Sequence, residues 1–152
     1  MDLPKRKPQR LSGYDYSKAN YYFVTICTDE RKDLFGEIGN LNEYGKIAER
    51  KLLEIEKHYE DIFVDEYVIM PNHIHTIIVF KNKKTERSRP FPTLSQVVGL
   101  YKSGVSKEIR ETAGEIKVWQ KSFNDVIIRN EKAYYEICKY IYNNPLNAEI
   151  DY

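Results

Sequence analysis

The sequence of 152 residues is poor in the residues from which several familiar kinds of site are built. It has two cysteines, three histidines and one tryptophan. Cys27 and Cys138 stand far apart without a Cys-x-x-Cys pair, which argues against a zinc site or a disulfide framework. No apolar run approaches the roughly 20 residues that span a bilayer, and the N-terminus lacks an apolar signal stretch. We therefore expect an intracellular protein that is neither secreted nor embedded in a membrane.

Two of the three histidines lie in the most informative segment of the chain, residues 67–80, which reads YVIMPNHIHTIIVF. Pro71 interrupts an extended pattern, and the β-branched, apolar run after it is typical of a central strand. Strand side chains alternate between faces, so His73 and His75 project to the same side. Such a pair is often two buried histidines satisfied by hydrogen bonds. On one face of a rigid strand, however, the two imidazoles can bind one metal ion.

Charge is small in total but uneven along the chain. The net charge is +1, yet residues 37–66 carry nine acidic and four basic side chains, whereas residues 1–36 sum to +2 and residues 67–152 to +4. Basic side chains concentrate near the N-terminus and in residues 81–89. Such clusters are often only solvated segments. Two of them beside a candidate metal site favour a polyanion partner.

Hydrophobic periodicity predicts an α+β fold, with an antiparallel β-sheet and helices packed on it, in one domain spanning residues 1–152. Residues 1–20 are expected to form a basic arm. Strands are expected at 21–27, 61–69, 73–80 and 123–128, with a hairpin between the second and third. Helices are expected at 42–59, from Thr93 or Ser95 to about 112, and at 130–143, with a flexible loop at 81–92.

The last predicted helix carries a second candidate constellation and stops before Pro145, because a residue that precedes proline avoids helical geometry. Tyr140 and Asn144 lie one turn apart on one helix face. Alone, such a pair is usually half-buried packing with a C-terminal cap. Beside two metal-binding histidines, Tyr140 becomes a candidate nucleophile and Asn144 a candidate third ligand. Tyr142 lies about 200° around the helix, so only one of the two tyrosines can face the histidines.

The whole chain resembles the HUH-type single-tyrosine transposases of insertion sequences, in particular the REP-associated tyrosine transposases. The stretches that carry this resemblance are 67–75 (YVIMPNHIH), 119–129 (WQKSFNDVIIR) and 140–145 (YIYNNP), with further similarity at 11–16, 22–27 and 34–38. One departure is Asn124, where members of the family often have an aromatic residue. The resemblance covers nearly all of the sequence.

The resemblance implies an HUH endonuclease fold with a ferredoxin-like, RRM-like core. It implies an enzyme that cleaves single-stranded DNA next to hairpins and rejoins the strands. Tyr140 would attack a DNA phosphodiester, become joined to the 5′ phosphate and release a 3′ hydroxyl. His73, His75 and Asn144 would bind Mg²⁺ or Mn²⁺. A phenol with a reference pKa of about 10 is a poor nucleophile and needs such help, and mixed nitrogen and oxygen ligands suit Mn²⁺.

Under this hypothesis the partner is DNA, single-stranded or folded into hairpins of palindromic repeats, and the protein works in the bacterial cytoplasm near the nucleoid as a monomer or homodimer. Basic and aromatic side chains would contact the DNA. The candidate DNA-binding residues are Lys5, Arg6, Lys7, Arg10, Tyr14, Tyr16, Lys81, Lys83, Lys84, Arg87, Arg89 and Arg129.

Two other classes of protein stay open at this point. One is a catalytically idle DNA-binding protein derived from a transposase, and the other is an HUH replication initiator or relaxase, which shares the chemistry. A two-histidine phosphoesterase is disfavoured, because that class needs two copies of the strand motif. The remaining histidine, His58, lies in a predicted helix and does not supply the second copy.

Overall fold

Four strands form one antiparallel sheet in the computed structural model, which describes residues 19–81 and 92–144. In chain order the elements are β1 (Ala19–Cys27), β2 (Gly36–Glu37), β3 (Asn40–Leu41), α1 (Glu43–Leu53), α2 (Ile55–His58), β4 (Ile62–Met70), β5 (His73–Lys81), α3 (Leu94–Ala113), β6 (Asn124–Ile128) and α4 (Glu131–Asn143). The spatial order of the sheet is β4-β5-β1-β6, and all neighbours are antiparallel. This confirms the α+β prediction and gives the βαββαβ connectivity of a ferredoxin-like core.

The sheet is covered on both faces, which makes three layers. On one face Val24, Ile26, Ile74 and Ile78 pack with α1 and α3 in the larger core cluster. On the other face Ile77 and its neighbours pack under α4 in a smaller cluster. Because β5 lies between β4 and β1, its side chains are buried on both sides, as its apolar run predicts.

Polar side chains begin the three long helices near the predicted positions. The Asn42 side chain accepts from the Gly45 N–H at 2.9 Å, and Asn130 does the same for Ala133 at 2.8 Å. Thr93 caps α3 and forms a capping box with Gln96. Each cap satisfies an N–H that has no partner within its own helix. Among the described residues, no helix has the length and apolar character needed to cross a membrane.

The prediction of one helix over 42–59 is wrong at Glu54, which separates α1 from α2. Glu54 has a ψ of −13°, and its N–H is shared between the carbonyls of Arg50 and Leu52. The backbone therefore departs from regular helical torsions at this residue, although the apolar spacing continues across the break. Lys81 is also not part of the loop as predicted, because it is the last residue of β5.

A short hairpin formed by β2 and β3 was absent from the prediction. Its strands have two residues each, which is too short for an alternating pattern to be detected. Gly36 has a φ of +108°, and a Cβ there would meet the Asn42 nitrogen at 2.6 Å. The first position of β2 therefore requires glycine. The hairpin leads directly into the Asn42 cap of α1.

Candidate active site

His73 and His75 lie side by side at the beginning of β5. Their ring centroids are 4.7 Å apart, and the residues are 3% and 2% exposed. Ile74, between them, points into the core on the opposite face. The alternation predicted from the sequence is therefore present, and it places both imidazoles on the face that α4 covers.

Tyr140 meets this pair from α4. Its hydroxyl oxygen lies 3.4 Å from Nε2 of His75, and the two ring centroids are 5.2 Å apart. Phe23 from β1 packs edge-on against the Tyr140 ring and also lies against His75. Tyr142 is 39% exposed. Of the two tyrosines weighed in the sequence, Tyr140 is thus the one that faces the histidines.

Two polar side chains orient the imidazoles, and sequence reasoning missed both roles. Nδ1 of His75 lies 2.9 Å from the Thr25 hydroxyl, and Nδ1 of His73 lies 2.6 Å from the Asn72 amide oxygen. The Asn72 amide nitrogen donates to the Arg31 carbonyl at 3.4 Å, which is consistent with the oxygen facing His73. With both Nδ1 atoms engaged, the Nε2 atoms are those suited to bind a ligand.

Only one of these two orienting contacts could have been predicted from the sequence. Asn72 directly precedes His73, so its proximity was a usable signal. Thr25 is 50 residues away from His75 and meets it only because β1 and β5 pair in the register that places these two residues opposite each other. That register cannot be read from the local pattern of either strand.

Asn144 is buried at the end of α4, where it is 2% exposed. Its torsions are helical, with φ −54° and ψ −46°, so it lies one turn beyond Tyr140 on the same side of α4. Within the described ranges, no group of three His, Cys, Asp or Glu side chains could hold a metal ion. The amide oxygen of Asn144 would supply a third donor to a metal held by the two imidazoles. This donor set fits a divalent ion and leaves positions open for phosphate oxygens.

A buried polar contact anchors α4 to the sheet six residues before Tyr140. The Tyr134 hydroxyl donates to Asp65, which is 1% exposed and lies at a β-bulge between Val64 and Glu66. Burial, assisted by Asp65, raises the pKa of Tyr134 well above its usual range. Burial also raises the pKa of the nearby Cys138 thiol to about 12, so this side chain stays protonated. The Tyr134 hydroxyl therefore keeps its proton and anchors α4 to the sheet through Asp65.

The predicted DNA-binding residues do not gather around the histidines where the structure describes them. Lys81 is at the opposite end of β5, roughly 26 Å from His73 at the usual rise per strand residue, and its Nζ lies 4.9 Å from the Phe63 ring centroid. Arg129 is exposed just after β6, whose last residue pairs near that same far end. The other predicted residues, Lys5, Arg6, Lys7, Arg10, Tyr14, Tyr16, Lys83, Lys84, Arg87 and Arg89, lie outside the described residues.

Comparison with known proteins agrees with the fold. An uncharacterized protein of Haemophilus influenzae is 34% identical over 164 residues, covering 96% of this chain and 91% of that protein. A REP-associated tyrosine transposase bound to a REP hairpin superposes with a TM-score of 0.59 at 19% identity, covering 97% of this chain and 74% of that one. A candidate transposase from Deinococcus radiodurans R1 gives 0.55 at 16% identity, covering 87% and 94%.

At such low identities the two structural matches establish a shared fold. The family assignment comes from the sequence itself, because the model of the family described as "Transposase IS200 like" matches residues 15–144. That range contains the histidine pair, Tyr140 and Asn144. This chain therefore belongs to the IS200-like transposase family.

Proposed function

We propose that this protein is a metal-dependent DNA transposase that cuts single-stranded DNA beside hairpins through a covalent 5′-phosphotyrosine at Tyr140. The observation that supports this most directly is the Tyr140 hydroxyl at 3.4 Å from His75, which is itself packed against His73. Family membership supports transposition. The hairpin in the REP-associated relative supports the kind of DNA.

The chemistry exchanges one phosphoester for another. The Tyr140 oxygen forms a bond to phosphorus while the bond from phosphorus to the 3′ oxygen breaks. The phenolic proton is lost, and the departing 3′ oxygen gains one, so no net proton is consumed. In the second half of the reaction, the 3′ hydroxyl of another strand attacks the phosphotyrosine and restores Tyr140. Because each exchange replaces one phosphoester bond with another and so keeps its energy, strand joining needs no nucleoside triphosphate.

The residues around Tyr140 have separate tasks. His73, His75 and Asn144 would hold a divalent cation, which when bound would neutralise charge on the phosphate oxygens. Thr25 and Asn72 keep the imidazoles turned with Nε2 toward the site. Phe23 and the Tyr134 anchor keep the Tyr140 ring in position. Tyr140 lies against the histidines of its own chain, so the proposed reaction needs no residue from a second copy.

The first prediction is that Tyr140 is the residue joined to DNA. Labelled hairpin DNA with a single-stranded flank, incubated with Mn²⁺, is expected to give a protein adduct that survives denaturation. Tyr140→Phe removes the nucleophilic oxygen and should abolish the adduct, whereas the neighbouring Tyr142→Phe should keep it. The reverse result would overturn the assignment. Binding of hairpin DNA without any adduct in the wild type would indicate an idle DNA-binding protein.

The second prediction concerns the metal. Wild-type protein is expected to bind about one Mn²⁺ per chain, measured as loss of the free Mn²⁺ signal in electron paramagnetic resonance. The double variant His73→Ala/His75→Ala should lose this binding, and Tyr142→Phe serves as the matched control. EDTA should also stop adduct formation, and excess Mn²⁺ should restore it. Undiminished Mn²⁺ binding by the double variant would refute a metal site at these histidines.

A further inference from the structure

A basic surface lies on α3, on the side of the sheet opposite Tyr140. It is a cleft of about 470 Å³ between this helix and the segment that follows it. The side chains that line the cleft are Lys102, Ser103, Ser106, Lys107, Arg110 and Trp119. We refer to these six residues as the α3 cleft. None of them is among the DNA-binding residues that the sequence suggested.

The α3 cleft combines cations and hydroxyls without an acidic side chain. At 3.6 residues per turn, Lys102, Ser106 and Arg110 follow one another along the helix, and Ser103 and Lys107 lie beside them. Of the two acidic residues in this part of α3, Glu108 pairs with Arg50 of α1, and Glu111 follows Arg110 without lining the cleft. The cleft therefore presents three positive charges and two hydroxyl donors, which suits a series of phosphate groups.

Hydrogen bonds hold the walls of the cleft together. The Lys102 ammonium donates to the Gln120 carbonyl at 2.7 Å, and the indole N–H of Trp119 donates to the Lys102 carbonyl at 3.1 Å. Arg110 donates through Nε to the Ile116 carbonyl at 3.0 Å. The segment after α3 is thus fastened to the helix at both ends of the cleft. A surface held in this way loses little conformational entropy when it binds.

The cleft lies at the same end of the sheet as the histidines. Trp119 pairs with Thr28 in an isolated β-bridge. Thr28 donates to the Asn72 carbonyl from its N–H and from its hydroxyl, both at 3.0 Å, and Asn72 precedes His73. A few residues beyond Trp119 the chain reaches Asn124, which pairs with Thr25 beside His75. DNA held in the cleft could therefore continue into the Tyr140 site.

We propose that the α3 cleft binds the phosphate backbone of the double-stranded stem of the hairpin, an inference that rests on the proposed function. Proteins that hold single strands use exposed aromatic rings on which bases stack. The one aromatic residue lining the cleft, Trp119, is 6% exposed and packs against Phe35 and Tyr101. The cleft thus offers cations and hydroxyls that suit phosphates but no exposed aromatic ring on which unpaired bases would stack, as expected for a duplex.

The test is Lys107→Ala, because Lys107 is exposed and its removal leaves the bonds that build the cleft intact. Fluorescence anisotropy would give Kd for a hairpin and for a single strand of the flank sequence over a range of salt concentrations. One lost phosphate contact should lower the slope of log K against log salt by about 0.9, which weakens hairpin binding about fivefold at 0.15 M salt. Binding of the single strand should not change.

The matched control is Lys57→Ala, which removes the same charge from α2, beside the far end of β4. It should leave both affinities and both slopes unchanged. An unchanged hairpin slope in Lys107→Ala would overturn the proposal, and so would an equal loss for hairpin and single strand. If the wild type prefers hairpins and forms the Tyr140 adduct but Lys107→Ala has no effect, only the cleft assignment fails. If the wild type shows neither property, the proposed function fails as well.

Discussion

At the end of the sheet where the histidines lie, the two faces bury different kinds of side chain. Facing α1 and α3, Val24, Ile26 and Ile74 are almost completely buried and purely apolar. Facing α4, the adjacent positions are Thr25, His73 and His75, which are polar. Adjacent residues of one strand thus have different roles, one in the apolar core and the other in the polar candidate site. Because one face supplies most of the apolar burial, the other can hold polar groups that hydrogen bonds satisfy.

Substitutions at adjacent residues of β5 should separate the roles of the two faces most clearly. Ile74→Ala should lower the free energy of unfolding by about 2–5 kcal/mol, because it leaves a cavity in the larger core. His75→Gln keeps most of the side-chain volume and should cost less stability, but it should slow adduct formation about 100-fold or more. Urea unfolding and the labelled-hairpin assay measure the two effects.

The folded fraction of Ile74→Ala should form the adduct at the wild-type rate, since Ile74 does not face the site. A large loss of activity per folded molecule in Ile74→Ala would show that the two faces are not separable. If His75→Gln lost as much stability as Ile74→Ala, this result would also show that the two faces are not separable.

Two buried tyrosines, one on each face, should show a smaller difference of the same kind. Tyr101 donates to the Ala48 carbonyl at 2.8 Å between α3 and α1, whereas Tyr134 donates to the Asp65 carboxylate under α4. Tyr101→Phe should cost about 1 kcal/mol of unfolding free energy, and Tyr134→Phe about 2–3 kcal/mol, because a buried carboxylate loses a donor. Equal costs measured by urea unfolding would contradict this ranking. Only Tyr134→Phe should also slow adduct formation.

The same tyrosines predict how stability depends on pH. Burial raises the pKa of both hydroxyls in the folded protein above the unfolded value of about 10. The stability they contribute is therefore complete below about pH 10 and is lost as the pH rises further. Either Phe variant should show a shallower loss of stability between about pH 9 and 11. A wild-type protein whose stability stays level over this range would disprove the sign.

The smallest expected effect concerns Thr25 and Thr76, which lie on opposite faces of β1 and β5. Thr25→Val removes the contact that orients His75 and should slow adduct formation about tenfold with little change in stability. Thr76→Val removes a hydrogen bond to the Glu66 carbonyl and should lower stability by about 1 kcal/mol without changing the rate. If Thr76→Val slowed adduct formation and Thr25→Val only lowered stability, the assignment of the orienting role to Thr25 would be wrong.

Much of the fold could be predicted because its signals are local. Runs of β-branched, aromatic and other apolar residues identified β1, β4 and β5, and polar residues at Asn42 and at Thr93 or Ser95 marked the beginnings of two helices. The break at Glu54 and the β2–β3 hairpin were not predicted, since neither changes the hydrophobic pattern over enough residues. In the candidate site, the histidine pair and Tyr140 were identifiable by spacing and resemblance, and their roles stay predictions.

The sequence by itself determined which residues share a face, because the periods of strand and helix are set by backbone geometry. This is why His73 and His75 were placed together and Tyr142 was separated from Tyr140. Only the tertiary structure decided which distant residues meet: Thr25 with His75 through strand register, Tyr134 with Asp65 at a bulge, and Trp119 with Lys102 in the α3 cleft. Those contacts depend on strand pairing and packing between distant segments, which the residue pattern around either partner does not reveal.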